Sequence, residues 1–182
     1  MRQPTSAEPV SAPDRPKAVN IYTDGACIGN PGPGGYGVVL RYGDREKELS
    51  GGYRRTTNNR MELLAAIVGL EALKEPCRVT LNSDSEYVVK AMRLGWARRW
   101  QAQGWRQSTG QQAANPDLWT RLLVLCDAHH VAFQWVRGHA GNPGNERADR
   151  LALAAARGSS LQADDEYERL RPRTRGPRQQ RR

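Results

Sequence analysis

Apolar and polar positions alternate from Ala18 to Asp24, with Val19, Ile21 and Thr23 on one side, and this period of two predicts a strand. The Gly/Pro-dense stretch Gly29 to Gly35 ends it. Val38, Val39 and Leu40 open a second strand that runs to about Tyr42, Gly43-Asp44 makes a turn, and Glu46 to Arg54 makes a third strand. Three strands joined by short turns predict an antiparallel meander. From Asn59 the period changes, because Met61, Leu64, Ala65, Val68 and Ala72 fall at i, i+3, i+4, i+7 and i+11, one face of a helix that Pro76 closes. Arg78 to Ser83 reads as a buried strand, Glu86 to Met92 as a helix, Trp96 to Gln103 as a short basic helix and Gly104 to Asn115 as a loop. Asn115-Pro116 announces a helix over Asp117 to His129. A strand over Val131 to Val136, a loop rich in Gly and Asn, and a last helix with Ala148, Leu151, Ala152 and Ala155 on one face complete the chain. The order β-β-β-α-β-α-α-α-β-α predicts an α/β fold, a mixed sheet covered by helices.

The two ends do not take part in this pattern. Residues 1–17 contain four prolines and residues 157–182 are as poor in large apolar side chains, so both are expected to be disordered, flanking one domain over residues 18–156. The same division relocates the charge. The 182-residue chain carries a formal +9, of which the six arginines between Arg171 and Arg182 contribute +6. Inside the domain, Tyr87 to Pro116 holds Lys90, Arg93, Arg98, Arg99 and Arg106 and no acid, interleaved with Trp96, Trp100 and Trp105 and followed by Trp119. Cations mixed with indoles suit a nucleic-acid groove, while tryptophans four and five residues apart equally suit a helix core. No run of about 18 apolar residues exists to span a membrane. The N-terminus lacks an apolar signal segment. Cys27, Cys77 and Cys126 are odd in number and widely spaced, which speaks against disulfides or zinc and makes a reducing cytoplasm the expected location.

Gly32-Pro33-Gly34-Gly35-Tyr36-Gly37 spells a dinucleotide fingerprint, but strand-like Val38-Val39-Leu40 follows it where a helix N-terminus is required. Four carboxylates are more suggestive. Asp24 and Asp84 end the first and fourth strands, so a crossover through the Met61 helix would make those strands parallel neighbours and bring both acids to one sheet edge. Glu62 lies in the first turn of the crossover helix and Asp149 near the start of the last. Singly each has an ordinary explanation: Asp24 as a turn residue, Asp84 as an N-cap, Glu62 paired with Asn59 in a capping box, Asp149 at a helix N-terminus. Together they would repel and raise one another's pKa unless cations held them. Two Mg²⁺ ions balance four carboxylates, and such pairs, about 3.5–4 Å apart, drive phosphodiester hydrolysis. An all-oxygen ligand set without Cys or His favours Mg²⁺ or Mn²⁺ over zinc.

Four segments carry a family resemblance: Tyr22-Thr23-Asp24-Gly25-Ala26-Cys27-Ile28-Gly29-Asn30-Pro31-Gly32, Thr56-Thr57-Asn58-Asn59-Arg60-Met61-Glu62-Leu63, Ser83-Asp84-Ser85, and Gly138-His139-Ala140-Gly141-Asn142-Pro143 with Asn145-Glu146-Arg147-Ala148-Asp149. In this order they resemble bacterial type 1 ribonuclease H over residues 18–156. The resemblance implies a ribonuclease H-like mixed five-stranded sheet, three antiparallel strands plus parallel ones, flanked by helices. It implies a monomeric endonuclease, without obligate protein partner, that cuts the RNA strand of RNA/DNA hybrids to leave 5′-phosphate and 3′-hydroxyl ends. It assigns two metal ions to Asp24, Glu62, Asp84 and Asp149, with Asp24 shared, and puts His139 on a loop that assists proton transfer or product release. It matches Cys27, Asn30, Asn58 and Asn59 to reading of the RNA, and Asn30, Arg55 and Thr57 to a phosphate of the DNA strand. It equates residues 90–106 with a basic protrusion gripping the hybrid through Arg98 and Arg99, with Trp96, Trp100 and Trp105 partly packing it.

Two departures stand out. Glu86 occupies a position where Gln is common, and a carboxylate repels phosphate, so no substrate role is expected of it. The protrusion uses Arg where Lys is common, which favours bidentate phosphate contacts. A relative of the same fold acting on DNA, such as an integrase or junction resolvase, and a catalytically silent hybrid-binding module are the competing readings. The Asn58-Asn59 pair opposes the first, and the presence of all four carboxylates opposes the second.

Overall fold

The computed structural model describes residues 16–169. Five strands, β1 (Lys17–Cys27), β2 (Gly32–Tyr42), β3 (Arg45–Thr56), β4 (Cys77–Ser83) and β5 (His130–Trp135), form one sheet in the order β3-β2-β1-β4-β5. β2 pairs antiparallel with both β1 and β3, whereas β4 pairs parallel with both β1 and β5. The meander and the crossover are therefore as the pattern predicts. Between the strands run α1 (Asn58–Glu71), α2 (Glu86–Arg93), α3 (Trp96–Ala102) and α4 (Pro116–Ala128), and after β5 come α5 (Pro143–Ala156) and the short α6 (Asp165–Arg169). None of these helices is long and apolar enough to cross a membrane.

α1 is buried almost all round, Arg60 to Ile67 included, because one side lies on Ile21 and Val38 of the sheet and another on α4. Trp119 of α4 is 0% exposed, with Tyr87 tilted against it and Trp100 meeting it edge-on at 5.9 Å between centroids. That tryptophan is core rather than groove. The opposite face of β1, β2 and β3 carries α5. Here the Gly29 to Gly35 stretch, expected as a loop, is strand from Gly32 onward. Its glycines are a packing surface: a Cβ on Gly37 would stand 2.0 Å from the Ala148 carbonyl oxygen, and one on Gly35 2.5 Å from the Ala152 oxygen. Glycine facing an alanine-rich helix lets the two backbones approach far more closely than larger side chains permit.

The domain also extends past its expected ends. Lys17 already pairs with Cys77. Residues 157–169, placed in the disordered tail by composition, fold back onto the body: Gln162 exchanges backbone hydrogen bonds with Gly52 and Arg54, and Asp164 is 7% exposed. Polar contacts hold this strap, which is why a count of apolar residues missed it. The Asp164 carboxylate accepts from Arg60 Nε at 2.7 Å, from Arg60 Nη2 at 2.9 Å and from Thr56 Oγ1 at 2.7 Å. Asp117 takes the other side of the guanidinium at 3.0 and 2.7 Å. Burial alone would lower the Arg60 pKa, but the bonds to Asp117 and Asp164 outweigh it and raise it, so the cation is fixed. Residues 1–15 and 170–182, including the arginine-rich segment, lie outside the described residues.

Removing one partner of a buried pair costs about 3–5 kcal/mol when the other is left without a counter-charge; Arg60 would keep Asp117, so the lower end, about 3 kcal/mol, applies to Asp164. Asp164→Ala is therefore expected to lower stability by about that amount in urea unfolding at neutral pH, and a chain ending at residue 157 should lose no less. A loss indistinguishable from that of an exposed substitution such as Asp165→Ala would remove the strap from the fold's stability.

Candidate functional site

Register decides the first two carboxylates. Thr23 of β1 stands opposite Ser83 of the parallel β4, so Asp24 and Asp84 leave the sheet side by side at the same edge. Asp24 Oδ1 accepts from the Gly25 amide at 2.8 Å. Gly25 in turn decides the third. A Cβ there would lie 2.3 Å from the Glu62 nitrogen, so only glycine lets the first turn of α1 close onto the end of β1. The N-cap of α1 is Thr57, whose hydroxyl accepts from the Arg60 amide, and not Asn59; α2 is likewise capped by Ser85 rather than Asp84. Both carboxylates are thus released from capping duty. The glycine-alanine packing of α5 brings Asp149, in its second turn, near enough for its charge to act on Asp24, though outside the group of three whose oxygens meet.

One oxygen from each of Asp24, Glu62 and Asp84 lies within 4.8 Å of the others. Asp24 is 7% and Glu62 6% exposed. Burial first, then the charges of Asp84 and Asp149, push the Asp24 pKa up to about 8. Glu62 is raised well above the carboxylate range by burial first and by Asp24 and Asp84 after it. Asn58 Nδ2 reaches Glu62 Oε1 at 3.4 Å, while Glu62 Oε2 is buried with no hydrogen-bond partner among the described residues. An unpartnered buried carboxylate oxygen among like charges, with oxygen donors only, fits a hard divalent cation such as Mg²⁺ or Mn²⁺.

His139 lies between β5 and α5, exposed and in the left-handed region at φ 51°, on a loop held by the Gly141 amide donating to Glu146 Oε1 at 3.0 Å. The same loop touches the cluster, since a Cβ on Gly138 would sit 2.6 Å from Asp84 Oδ2. On the other side, Asn30 Oδ1 accepts from the Asn58 amide at 3.3 Å and ties the β1–β2 turn to the start of α1. Asn59 and Arg55 are exposed beside it. The Cys27 thiol points to the carbonyls of Gly32 and Thr56 at 3.6 and 3.5 Å, and burial raises its pKa, so it is tied down rather than reactive.

The basic segment is less charged than its composition. Lys90 pairs with Glu86 at 2.6 Å, and Arg98 pairs with Asp127 of α4. Glu86 thus neutralises a neighbouring cation. Trp100 and Trp105 are partly buried against the core and hold the segment in place, while Trp96 is 37% exposed. Arg99 is exposed and donates to the Leu94 carbonyl at 3.2 Å. Sequence reasoning assigned nothing to Gly25, Gly138 or Asn145; Asn145 stands one helical turn before Asp149, a spacing that puts both on one face of α5.

The ribonuclease H family model matches residues 16–157. The chain is 63% identical over 157 residues to a ribonuclease H of Syntrophus aciditrophicus, covering 86% of this chain and 91% of that one, and 54% identical over 146 residues to a ribonuclease H of Escherichia coli, covering 80% and 94%. It superposes on LC9-RNase H1, described as a type 1 RNase H with the type 2 active-site motif, with a TM-score of 0.71 at 32% identity, covering 88% and 84% of the two chains. A structure of LC11-RNase H1 in complex with an RNA/DNA hybrid matches at TM-score 0.59 and 27% identity, covering 76% and 96%. The chain belongs to the ribonuclease H family and is an enzyme of that family.

A carboxyl whose folded pKa is raised binds its proton more tightly folded than unfolded, so its contribution is present below the unfolded value near 4 and is lost as pH rises toward about 8. Metal-free protein is expected to melt at a lower temperature at pH 8 than at pH 6, and Mg²⁺ should restore more at pH 8. Asp24→Asn should raise the metal-free melting temperature at pH 8 and remove most of the Mg²⁺ effect. Equal Mg²⁺ stabilisation of wild type and variant in thermal melts would contradict the site.

Proposed function

We propose that this chain is an endonuclease that hydrolyses the RNA strand of RNA/DNA hybrids, independently of sequence, using two divalent cations and leaving 5′-phosphate and 3′-hydroxyl ends. The observation that carries this reading is the cluster of Asp24, Glu62 and Asp84 within 4.8 Å, with Asp149 bearing on Asp24. When bound, the two ions supply a water of lowered pKa as nucleophile and a counter-charge for the departing 3′-oxygen. Asp24, on which the charges of both Asp84 and Asp149 act, would serve both ions, with Glu62, Asp84 and Asp149 completing the set. His139, exposed on its loop, carries a proton toward the leaving group or helps the product depart.

The remaining residues bind and orient. RNA is told from DNA by its 2′-hydroxyls, which short polar groups and backbone amides read across a shallow minor groove. Asn58 and Asn59, beside Glu62, and the Cys27 to Asn30 turn offer such groups next to the reacting strand. Because the Thr57 hydroxyl accepts from Arg60, its own proton stays free to donate to phosphate, joined by Arg55, Asn30 and the amides at the start of α1. Trp96, Arg98 and Arg99 would hold the hybrid from the basic segment, and the arginines of residues 171–182 would add sequence-independent affinity.

With Mg²⁺ and end-labelled substrates, wild type is expected to cut the hybrid and to leave duplex DNA and duplex RNA intact; cleavage of duplex DNA would favour a DNA-directed relative of the fold instead. Asp24→Asn should leave no cleavage above background, and His139→Ala should lower kcat by about 100-fold with little change in KM. Deleting residues 171–182 should weaken hybrid binding and flatten the plot of log affinity against log salt, by up to about 0.9 in slope for each phosphate that the tail neutralises. An unchanged slope in filter-binding measurements would exclude the tail from binding.

A further inference from the structure

Asn145 is 1% exposed, and its side chain has two ends with different fates. Nδ2 donates to Asp84 Oδ2 at 3.3 Å, whereas Oδ1 is buried with no hydrogen-bond partner among the described residues. A buried amide oxygen without a donor costs about 1–3 kcal/mol, so an unpaired one calls for an explanation. Turning the amide over offers no relief, because it would set the oxygen against the Asp84 carboxylate and strand the NH₂ group instead. An acceptor buried beside a carboxylate cluster is matched by a donor that arrives with a ligand.

We infer that Asn145 is a positioning residue of the metal site: through Nδ2 it fixes Asp84, and through Oδ1 it receives a water of a hydrated divalent cation. The inference rests on the metal reading given above and assigns a residue to it. Asp84 is held on three sides. Asn145 bonds one oxygen, Gly138 stands so near that same oxygen that a Cβ on it would lie 2.6 Å away, and Trp135 Nε1 donates to the Asp84 backbone carbonyl at 3.2 Å. Asn145 itself is fixed by its backbone, whose amide donates to the Asn142 N-cap at 3.2 Å. Its place one turn before Asp149 means that whatever sets α5 on the sheet sets the acid and the amide together. Partners that orient metal ligands in this way change metal affinity by about 10–100-fold when removed.

The test is calorimetric titration of substrate-free protein with Mn²⁺ at 25 °C, for wild type, Asn145→Ala and Asn145→Ser. Both variants are expected to bind Mn²⁺ about 10–100-fold more weakly, with the serine variant the less affected because a hydroxyl keeps a donor and an acceptor. Their kcat should recover toward wild type as Mg²⁺ is raised, at unchanged KM for the hybrid. A purely structural asparagine would instead lower the melting temperature and leave Mn²⁺ affinity alone. In wild type, where folding is not in question, the Asn145 side-chain NH₂ resonances should shift on Mg²⁺ addition with the midpoint of the site. Variants that match wild type in Mn²⁺ affinity, or wild-type resonances that stay put while the site fills, would overturn the inference and leave the metal reading intact. Wild type that takes up no divalent cation would overturn both.

Discussion

Like charges resist being gathered where water is scarce, and everything at the sheet edge is arranged around that resistance. Asp24 and Glu62 are buried to within a few per cent, and it is their burial, more than their neighbours, that pushes their protons on. Such a cluster persists only if the elements bearing the acids are unable to move apart. Two of those elements, β1 and β4, are locked by parallel pairing along seven residues from Lys17 to Thr23. The other two are helices, and helices are normally kept from a sheet by the side chains between them. Here glycines remove that spacing, at Gly25 beneath α1 and at Gly35 and Gly37 beneath α5.

The second half of the restraint is of opposite sign. Arg60 stands two residues before Glu62 on α1 and is enclosed by Asp117 and Asp164. The turn of helix that carries an uncompensated carboxylate on one side therefore carries a fully compensated guanidinium on the other. Asp117 belongs to α4 and Asp164 to the C-terminal strap, so two distant pieces of chain clamp this one turn. Tyr167 adds its ring over the guanidinium at 6.0 Å. Repulsion from Asp24 and Asp84 cannot lift the start of α1 from the sheet without breaking that clamp.

The cluster of Asp24, Glu62 and Asp84 was legible in the sequence because each follows a sharp local signal, a strand end or a helix start, and because the crossover topology brings those signals to one edge. Apart from β2, which begins well before its expected start at Val38, the helices and strands up to α5 were legible to within a few residues for the same reason. The strap was not. Its anchor joins Arg60 to Asp164 across 104 positions through polar atoms, and a segment with few large apolar residues reads as solvent-exposed chain. The glycine run of β2 was misread as a loop because glycine signals both flexibility and close approach, and only the helix opposite distinguishes the two. The tryptophans were ambiguous for a related reason. Indole spacing is the same on a groove and in a core, and Trp100 and Trp119 meet inside. Arg98 and Lys90 counted as free charge until acids from outside their segment were seen beside them.

The glycine seams bear on how a gene for this protein would respond to random mutation. An alanine at Gly25 or Gly37 adds a single methyl group and no charge, yet it must displace a helix backbone that otherwise lies 2.3 or 2.0 Å from the new atom. The displaced helix is the one that carries Glu62 or Asp149, and most of the hydrophobic interior lies on the α1 side, away from the α5 seam. A genetic screen for null alleles would then recover conservative changes at positions with no functional group at all. Some of those alleles would accumulate to normal levels as intact, inert protein, and a survey restricted to reactive side chains would have no explanation for them.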